Sequence, residues 1–310
     1  MSLAEAKPAG SSKILCTGIA VQDILMRVER FPAPGSKIPA SDFIVTGGGC
    51  AANAAVAIAR LGGRAAFTGP LGGANDLVSN RILADLVAEG VDCAGVVRVT
   101  GATASVSLIL IDATGEKTIA TRRGENLAAA LPQNPAALVA SADAVLADNR
   151  FPEFVAPICR AARAKNIPAV IDFDKATEAN DPLLASGTHV IASAEALRGT
   201  TGLGDVAAAL AQLGERLPGF VAVTDGANGV FWFEARKLRH MPAFKIEAVD
   251  SLGAGDTFHG AFTLALLEGR AMSDVMRFAS AAAAVKCLRF GGNAATPKRA
   301  EVEDFLKRNG

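Results

Sequence analysis

The sequence predicts an α/β protein: a three-layer α/β/α sandwich with a mostly parallel central sheet, and a small β-sheet set apart from it. After Asn126, short apolar runs alternate with helix-like segments, which is typical of a parallel sheet covered by helices on both faces. Two apolar runs flank residues 113–116 without a helix between them, which predicts a separate antiparallel hairpin. Two glycine-rich turns each open an alanine-rich helix.

The first third of the chain mixes short strands with glycine-rich turns. Residues 1–12 are small and polar, lack the apolar core of a signal peptide, and are expected to be a disordered lead-in. Apolar runs predict strands at 13–20, 41–45 and 65–70, with a Pro- and Gly-rich loop at 31–39. Helices are expected from the glycine cluster at 47–49 to Gly62, and over 78–89.

The rest of the chain follows the alternating pattern. The hairpin occupies 103–121, and buried strands are expected at 144–147, 169–172, 189–192 and 220–224. Helices are expected between them, at 154–165, 181–185 and 205–216. Residues 229–234 and 238–246 predict an antiparallel finish, followed by two long helices at 256–267 and 273–287, and residues 301–307 close the chain.

Composition limits the classes of function. Half of the 310 residues are hydrophobic, which allows a substantial core. The 31 Lys and Arg balance the 31 Asp and Glu, which argues against a nucleic-acid partner. No apolar run reaches the ~18 residues needed to span a membrane. The five cysteines are scattered without a Cys-x-x-Cys pair, which argues against zinc and predicts reduced thiols in the cytoplasm.

The segment 250–262, DSLGAGDTFHGAF, carries the strongest functional signal. Gly253, Ala254 and Gly255 leave their amides open to an anion at the positive end of the following helix. Asp256 lies at that anion site, where a carboxylate is suited to accept a proton while the amides stabilise a phosphoryl group. The alternative is an ordinary helix cap, since aspartate is common there.

A second glycine cluster, at 47–49, leads into the helix that contains Asn53. It indicates either a close approach of the backbone to a polar ligand or only a tight turn before a packed helix. The sequence has no Gly-x-x-x-x-Gly-Lys-Ser/Thr, no Gly-x-Gly-x-x-Gly after the first strand and no Gly-x-Ser-x-Gly. It therefore offers no P-loop, no dinucleotide-binding turn and no hydrolase elbow.

The segments 47–63, GGGCAANAAVAIARLGG, and 250–262 resemble the two signatures of the ribokinase, or PfkB, family of carbohydrate kinases. An early aspartate, a Gly-Glu hairpin and VTDGANG at 223–229 occur in the same order as in that family. The phrases VLADNRFPE, PAFKIEAVD and RFASAAAAVKC are most similar to bacterial kinases of ketose-type sugars, including sulfofructose kinase.

The resemblance implies a ribokinase-like fold, with ATP as the phosphoryl donor and Mg²⁺ as the metal. It implies that Asp256 is the catalytic base and that the amides of residues 253–255 bind the transferred group. It also implies two sets of binding residues. These are Asp23, Gly49 and Asn53 for sugar hydroxyls, and Thr224, Gly226, Gly229, Ala282 and Val285 for the nucleotide.

The family pattern does not assign the metal ligands of this chain directly, because the chain departs from it near the nucleotide phosphates. The family often has Asn-x-x-Glu near the nucleotide phosphates, whereas residues 193–196 here are Ser-Ala-Glu-Ala. Asp172 and Asp174 face the same side of a strand and are candidates to hold magnesium through water, or are merely exposed acids at a strand end. The resemblance also implies a K⁺ site at Asp250, completed by the turn at 291–293.

Four basic residues bear on the choice of sugar: Lys37, Arg122, Arg123 and Arg150. If they converge, they could hold a phosphate or sulfonate on the substrate. The alternative is solvated surface charge, which we favour for Arg122 and Arg123 but not for Lys37 and Arg150. Cys50 stands where ribokinases often have lysine, which makes ribose itself a less secure substrate.

We expect a core of residues 13–30, 47–100 and 125–310, with a β lid of 31–46 and 101–124. Family members commonly dimerise through the lid, so a homodimer is expected. The predicted function is transfer of the γ-phosphoryl group of ATP to a hydroxyl of a ketose, a ribose-like sugar or an anionic sugar. A nucleoside or vitamin-alcohol kinase and a non-catalytic sugar or nucleotide sensor remain the alternatives.

Overall fold

The structure of the protein is a computed structural model that describes residues 10–178 and 180–310. Most of the predicted lead-in, residues 1–9, lies outside this part of the chain. The last residues of that segment are ordered, since Ser12 is buried and its carbonyl accepts a hydrogen bond from the Arg64 amide at 3.0 Å. The body of the protein therefore begins slightly earlier than expected.

Strands and helices alternate along most of the chain, as the apolar pattern predicts. The strands are β1 (Lys13–Thr17), β2 (Val21–Val28), β3 (Ala40–Gly48), β4 (Arg64–Thr68), β5 (Pro70–Gly72), β6 (Val97–Val99), β7 (Ser105–Ile111), β8 (Lys117–Arg122), β9 (Ala144–Asp148), β10 (Ala169–Phe173), β11 (His189–Ser193), β12 (Phe220–Thr224), β13 (Val230–Glu234) and β14 (Lys237–Met241).

Ten α-helices lie in the described part of the chain, with short 3₁₀ turns at Gly226–Asn228 and Gly292–Ala295. The helices are α1 (Cys50–Arg60), α2 (Leu77–Ala88), α3 (Pro135–Val139), α4 (Pro152–Ala164), α5 (Pro182–Ser186), α6 (Ala194–Thr201), α7 (Val206–Arg216), α8 (Ala254–Leu267), α9 (Met272–Cys287) and α10 (Arg299–Arg308). Helices α3 and α6 were not among the predicted helices.

The central sheet has eight strands in the order β14-β13-β12-β11-β10-β9-β1-β4. All neighbours from β12 to β4 are parallel, and the two pairs at the β14 end are antiparallel, which confirms the mixed, mostly parallel sheet. Helices cover both faces, as buried strands of this kind require. One core lies against α1, α8 and α9, and the other against α4, α6 and α7.

The second sheet has four strands in the order β3-β2-β7-β8 and contains the predicted hairpin, in which β7 pairs with β8. Strand β2 corrects the predicted boundary, because we expected residues 13–30 to belong to the core. Instead β2 pairs with β3 and β7 in the small sheet. The sequence did not reveal β2 because its residues break the alternation of apolar inward and polar outward side chains. Asp23 points to the buried side of β2, while the apolar side chains of Ile24 and Met26 are half-buried on the other side.

The carboxyl ends of the parallel strands and the N-termini of α1 and α8 meet at one edge of the central sheet. Such edges are where open α/β sheets bind ligands. Helix α8 crosses α1 closely at Gly260, where an added Cβ would lie 2.8 Å from the Ala54 carbonyl oxygen. This contact brings the two glycine-rich turns of the sequence together. Among the described helices, none is both long and apolar enough to cross a membrane.

Candidate active site

The N-terminus of α8 forms an open anion-binding turn. Gly253 is in the left-handed region (φ 76°), which turns the chain from the preceding loop into the helix. Among the described residues, the amides of Gly253, Gly255 and Asp256 have no hydrogen-bond partner, as expected for a helix start. The Ala254 amide differs from the prediction, since it donates to the Ser251 carbonyl at 3.3 Å. Three free amides therefore face outward beside the Asp256 carboxylate.

The Asp256 carboxylate is held by the other glycine-rich segment. The Asn53 side-chain amide on α1 donates to its Oδ2 at 2.7 Å. Burial raises the pKa of Asp256 to about 7; the Asn53 hydrogen bond opposes that shift, and the negative charges of Asp174, Asp148 and Asp23 add to it. A carboxylate with a pKa near neutral is well suited to accept a proton in a reaction at physiological pH.

Asp256 belongs to a cluster with Asp172 and Cys50, whose candidate ligand atoms lie within 4.8 Å of one another. Burial, and then the negative charge of Asp256, raise the pKa of Asp172 well above its ordinary value. Burial also raises the pKa of the Cys50 thiol, so it stays protonated and is a poor ligand for a hard cation. The donor set fits Mg²⁺, which prefers carboxylate oxygens together with waters and substrate phosphates.

Asp174 has a different partner from the one predicted. Its carboxylate forms an ion pair with Arg150, and it also accepts a contact from the Cys50 thiol at 3.8 Å. The guanidinium therefore already neutralises Asp174, which makes Asp172 the better of the two proposed metal residues. Glu195, one place from the family's usual glutamate, is exposed, and Ser193 caps α6 by accepting from the Ala196 amide at 3.1 Å.

The residues predicted to bind the sugar, Asp23, Asn53 and the turn at 47–49, lie together beside Asp256. Burial raises the pKa of Asp23 to about 6. A side chain at Gly48 would displace it, because an added Cβ would lie 2.0 Å from its Oδ2. Gly49 caps α1 with a φ of 93°, which favours glycine. The Asn53 Oδ1 is buried and has no partner among the described residues, so it is free to accept from a sugar hydroxyl.

Asp148 is a site residue that the sequence analysis missed. It lies at the carboxyl end of β9, and its carboxylate accepts from the amides of Ile19 at 2.7 Å, Ala51 at 3.1 Å and Arg150 at 2.9 Å. These three amides belong to the turn after β1, the start of α1 and the loop after β9. The only signal in the sequence is an aspartate that ends an apolar run, which does not reveal its partners.

A cavity of about 520 Å³ extends from the start of α8 to α9. Thr224, Gly226 and Gly229 line it, as predicted for nucleotide-binding residues. Ala282 and Val285 do not, because they are buried in the core. The wall is formed instead by the neighbouring stripe of α9, spaced three or four residues apart: Ser280, Ala283, Ala284 and Cys287. The two positions predicted from the family therefore lie on the helix that lines the cavity, but on a side of it that does not face the cavity.

The four basic residues do not converge. Lys37 is exposed in the loop between β2 and β3 and has no hydrogen bond or ion pair within the described residues. Arg122 is exposed and pairs with Glu125 at 2.8 Å, and Arg123 is also exposed. Arg150 alone reaches the site, where its Nε is buried without a partner among the described residues. The structure therefore does not bring Lys37 into the predicted anion-binding group.

The predicted K⁺ site at Asp250 is organised differently. Its carboxylate and the turn at 291–293 do meet, since the amides of Gly291 and Gly292 donate to Oδ2 at 3.1 and 2.8 Å. However, the ammonium of Lys286 lies against the same residue, 3.1 Å from Oδ2 and 2.9 Å from the carbonyl oxygen. The oxygens proposed for K⁺ already have a cationic partner, so the donor set does not fit the ion.

Known proteins resemble the chain over nearly its whole length. A family model described as pfkB family carbohydrate kinase matches residues 11–299. Ribokinase of Bacillus subtilis (strain 168) is 29% identical over 296 residues, which cover 94% of this chain and 99% of that protein.

Solved structures show the same likeness. A structure from Agrobacterium tumefaciens, provisionally called a ribokinase, has 36% identity and a TM-score of 0.92, covering 96% of this chain and 98% of its own. Arabidopsis thaliana ribokinase, solved with ribose and ATP, has 25% identity and a TM-score of 0.80 over 96% and 98% of the two chains. These comparisons confirm the ribokinase-like fold. The chain belongs to the pfkB family of carbohydrate kinases, which are phosphotransferases that use an alcohol group as acceptor.

Proposed function

We propose that this protein transfers the γ-phosphoryl group of ATP to a hydroxyl of a small neutral sugar, with Asp256 as the base. The observation that carries the proposal is the position of the Asp256 carboxylate beside three free amides, next to Ala254 and Gly255, which line the large cavity. A carboxylate that only capped a helix would lie over its own first turn. This one instead receives the Asn53 amide from another helix at 2.7 Å.

The cavity between α8 and α9 fits a nucleotide. Its lining includes the apolar residues Phe258, Ala283 and Ala284, and it also reaches Ala254 and Gly255 at the start of α8. A purine base in the apolar part would direct the phosphates toward the positive end of α8. The co-structure of Arabidopsis thaliana ribokinase with ribose and ATP supports this placement by analogy.

The acceptor sugar would lie between Asp23 and Asn53, which offer a carboxylate and an unpartnered amide oxygen to its hydroxyls. The reacting hydroxyl gives its proton to Asp256 as its oxygen attacks the γ-phosphorus in line with the departing ADP oxygen. The free amides of residues 253, 255 and 256 stabilise the charge on the transferred phosphoryl group. Positioning and electrostatics supply most of the catalysis in reactions of this kind.

Asp172, whose carboxylate lies next to that of Asp256, would hold Mg²⁺ through water. The ion would shield negative charge on the phosphates when bound. Two raised pKa values at neighbouring carboxyl groups support a cation here, because a positive charge would relieve their mutual repulsion.

One observation supports a second candidate acceptor, an anionic sugar. The Arg150 Nε is buried beside the acceptor site without a partner among the described residues, and it could donate to a sulfonate or phosphate. Against this, the guanidinium already pairs with Asp174, and Lys37 lies elsewhere. We therefore favour a neutral ketose or ribose-like sugar.

A second copy of the chain is the proposed partner, through the outer face of the small sheet. Phe43 and Leu108 on that face are 57% and 42% exposed. Strand pairing places them beside half-buried Ile24, Met26 and Leu110 on the same side. A contiguous apolar patch on a sheet marks an interaction surface. The free thiols of all five cysteines support a cytoplasmic location.

A thermal-shift screen with an ATP analogue tests the function. We expect a sugar to raise the melting temperature more in the presence of the analogue than alone, because both bind the folded protein. The screen should cover ketoses, aldoses, sugar phosphates, sulfonated sugars and nucleosides, followed by an assay of ADP release. If only a nucleoside or a vitamin alcohol is phosphorylated, the proposed sugar acceptor is wrong. If a ligand binds but no ADP is released, the protein is a sensor and not a kinase.

A further inference from the structure

Lys286 is a buried cation that the proposed mechanism does not use. Its side chain is 0% exposed, near the end of α9, and its partner Asp250 is 1% exposed. Lysine is almost never fully buried unless it is paired, because removing an ammonium from water is costly. Because burying this ammonium group is costly, its presence in the core indicates a role for the positive charge.

The Lys286 ammonium lies where two loops converge. It donates to the Asp250 carbonyl at 2.9 Å and contacts the Asp250 Oδ2 at 3.1 Å. The same carboxylate accepts from the amide of Leu252 at 2.8 Å, and from those of Gly291 and Gly292. One ion pair therefore joins α9, the loop that leads into α8, and the turn after α9.

A monovalent cation at the site predicted on Asp250 would use these same oxygens. Both oxygens that Lys286 contacts belong to Asp250, and the remaining partners of that carboxylate are amides, which cannot ligate a cation. A second positive charge next to the ammonium would also be repelled in a low-dielectric interior. Burial lowers the pKa of Lys286, and the charge of Asp250 and its hydrogen bond oppose that shift.

The ion pair bears on the catalytic turn through the chain itself. Asp250 fixes the Leu252 amide, and the next residue, Gly253, begins the turn whose free amides face the transferred group. We propose that Lys286 permanently supplies the positive charge that a bound K⁺ would otherwise supply beneath this turn, so that phosphoryl transfer by this protein needs no monovalent cation. This inference rests on the proposed kinase function. Lys286 is a positioning residue, since it does not touch the substrates.

The first experiment compares the wild-type protein in KCl, NaCl and choline chloride at equal ionic strength. We expect kcat to agree within about twofold in the three salts, because the charge is already covalently attached. The melting temperature should also be the same, which gives a readout that does not need a substrate. Stimulation by K⁺ of about tenfold or more, or a rise in melting temperature specific to K⁺, would overturn the inference.

The second experiment uses Lys286→Gln, which leaves the Asp250 carboxylate buried without its cation. We expect kcat to fall at least about tenfold in choline chloride with a smaller change in both KM values, because the turn acts chiefly in the transition state. KCl should recover part of the loss and raise the melting temperature of this variant. The matched control is Lys117→Gln, which removes an exposed lysine 3.4 Å from Ser251 and should gain no response to K⁺.

If Lys286→Gln does not fold, the double variant Asp250→Asn with Lys286→Met removes both buried charges. It should fold, show a reduced kcat, and remain indifferent to K⁺. A folded Lys286→Gln protein with wild-type kcat in choline chloride contradicts the inference. Absence of kinase activity from the wild-type protein in every salt contradicts the proposed function instead, and the melting temperatures then still decide whether K⁺ binds.

Discussion

Replacing Asp256 by asparagine tests the proposed base. The substitution keeps the size of the side chain and can still accept the Asn53 amide, but it cannot take a proton at neutral pH. If Asp256 is the base, kcat should fall at least ~100-fold, the usual contribution of general base catalysis. KM for ATP should change little, because the cavity and the free amides of the turn are unaltered.

The raised pKa of Asp256 gives the same prediction a pH signature. Asp256 must be ionised to accept a proton, and its pKa is raised to about 7. One pH unit below that value only about a tenth of the enzyme carries the active form, so kcat/KM should fall about tenfold per unit on the acid side. The measured value belongs jointly to Asp256 and Asp172, whose carboxyl groups interact.

Stability should respond in the opposite direction to activity. The folded pKa of Asp256 lies above its ordinary value of 3.8, so the folded state binds more protons between about pH 4 and 7. This group's contribution to stability therefore decreases as the pH rises through that window. Asp256→Asn should melt no lower than the wild-type protein at pH 8, and the difference should shrink toward pH 5.

Asp205→Asn is the matched control, because Asp205 also begins a helix and only accepts the Ala208 amide at 2.8 Å. It should keep its activity, since asparagine caps as well as aspartate does. Steady-state rates from pH 5 to 9 and melting curves on both variants complete the test. A purified, folded Asp256→Asn protein that retains turnover, or a wild-type profile that is flat across pH 7, would refute the assignment.

Three further substitutions address the acceptor, the nucleotide and the interface. Arg150→Ala separates the two candidate acceptors: it should raise KM for an anionic sugar far more than KM for ATP, and equal effects on both would end the proposed role of Arg150 in binding an anionic acceptor. Ala283→Leu should raise KM for ATP, because the larger side chain narrows the cavity. Ala282→Leu should instead lower the free energy of unfolding by about 1–3 kcal/mol, because it overpacks the core. The reverse pattern would show that α9 presents its other side to the cavity. Phe43→Asp should convert a dimer to a monomer in light scattering, and a wild-type monomer would contradict the proposed partner.

The arrangement of the central sheet could be predicted because its strands are short, apolar and separated by helices of ordinary length. Strand β2 could not be predicted, because Asp23 takes an inward position and interrupts the apolar alternation. The Asp256 turn was evident from local sequence, since glycine and a helix start determine its chemistry.

Contacts between residues that are far apart in the chain could not be predicted from the sequence. Asp148 binds the Ile19 amide 129 residues away, and Lys286 pairs with Asp250 36 residues away. Nothing near either residue indicates its partner. The choice of wall on α9 failed for a related reason, because a helix with alanines on several faces does not reveal which of them faces the cavity.

The carboxylate of Asp148 has a mechanical consequence. It fixes the chain at Ile19, just before β2, and at Ala51, just after β3. The two strands between these points leave the body of the protein and return to it at one place. One buried carboxylate therefore holds both the entry to β2, which carries Asp23, and the start of α1, which carries Asn53, so the relative position of these two side chains depends on Asp148.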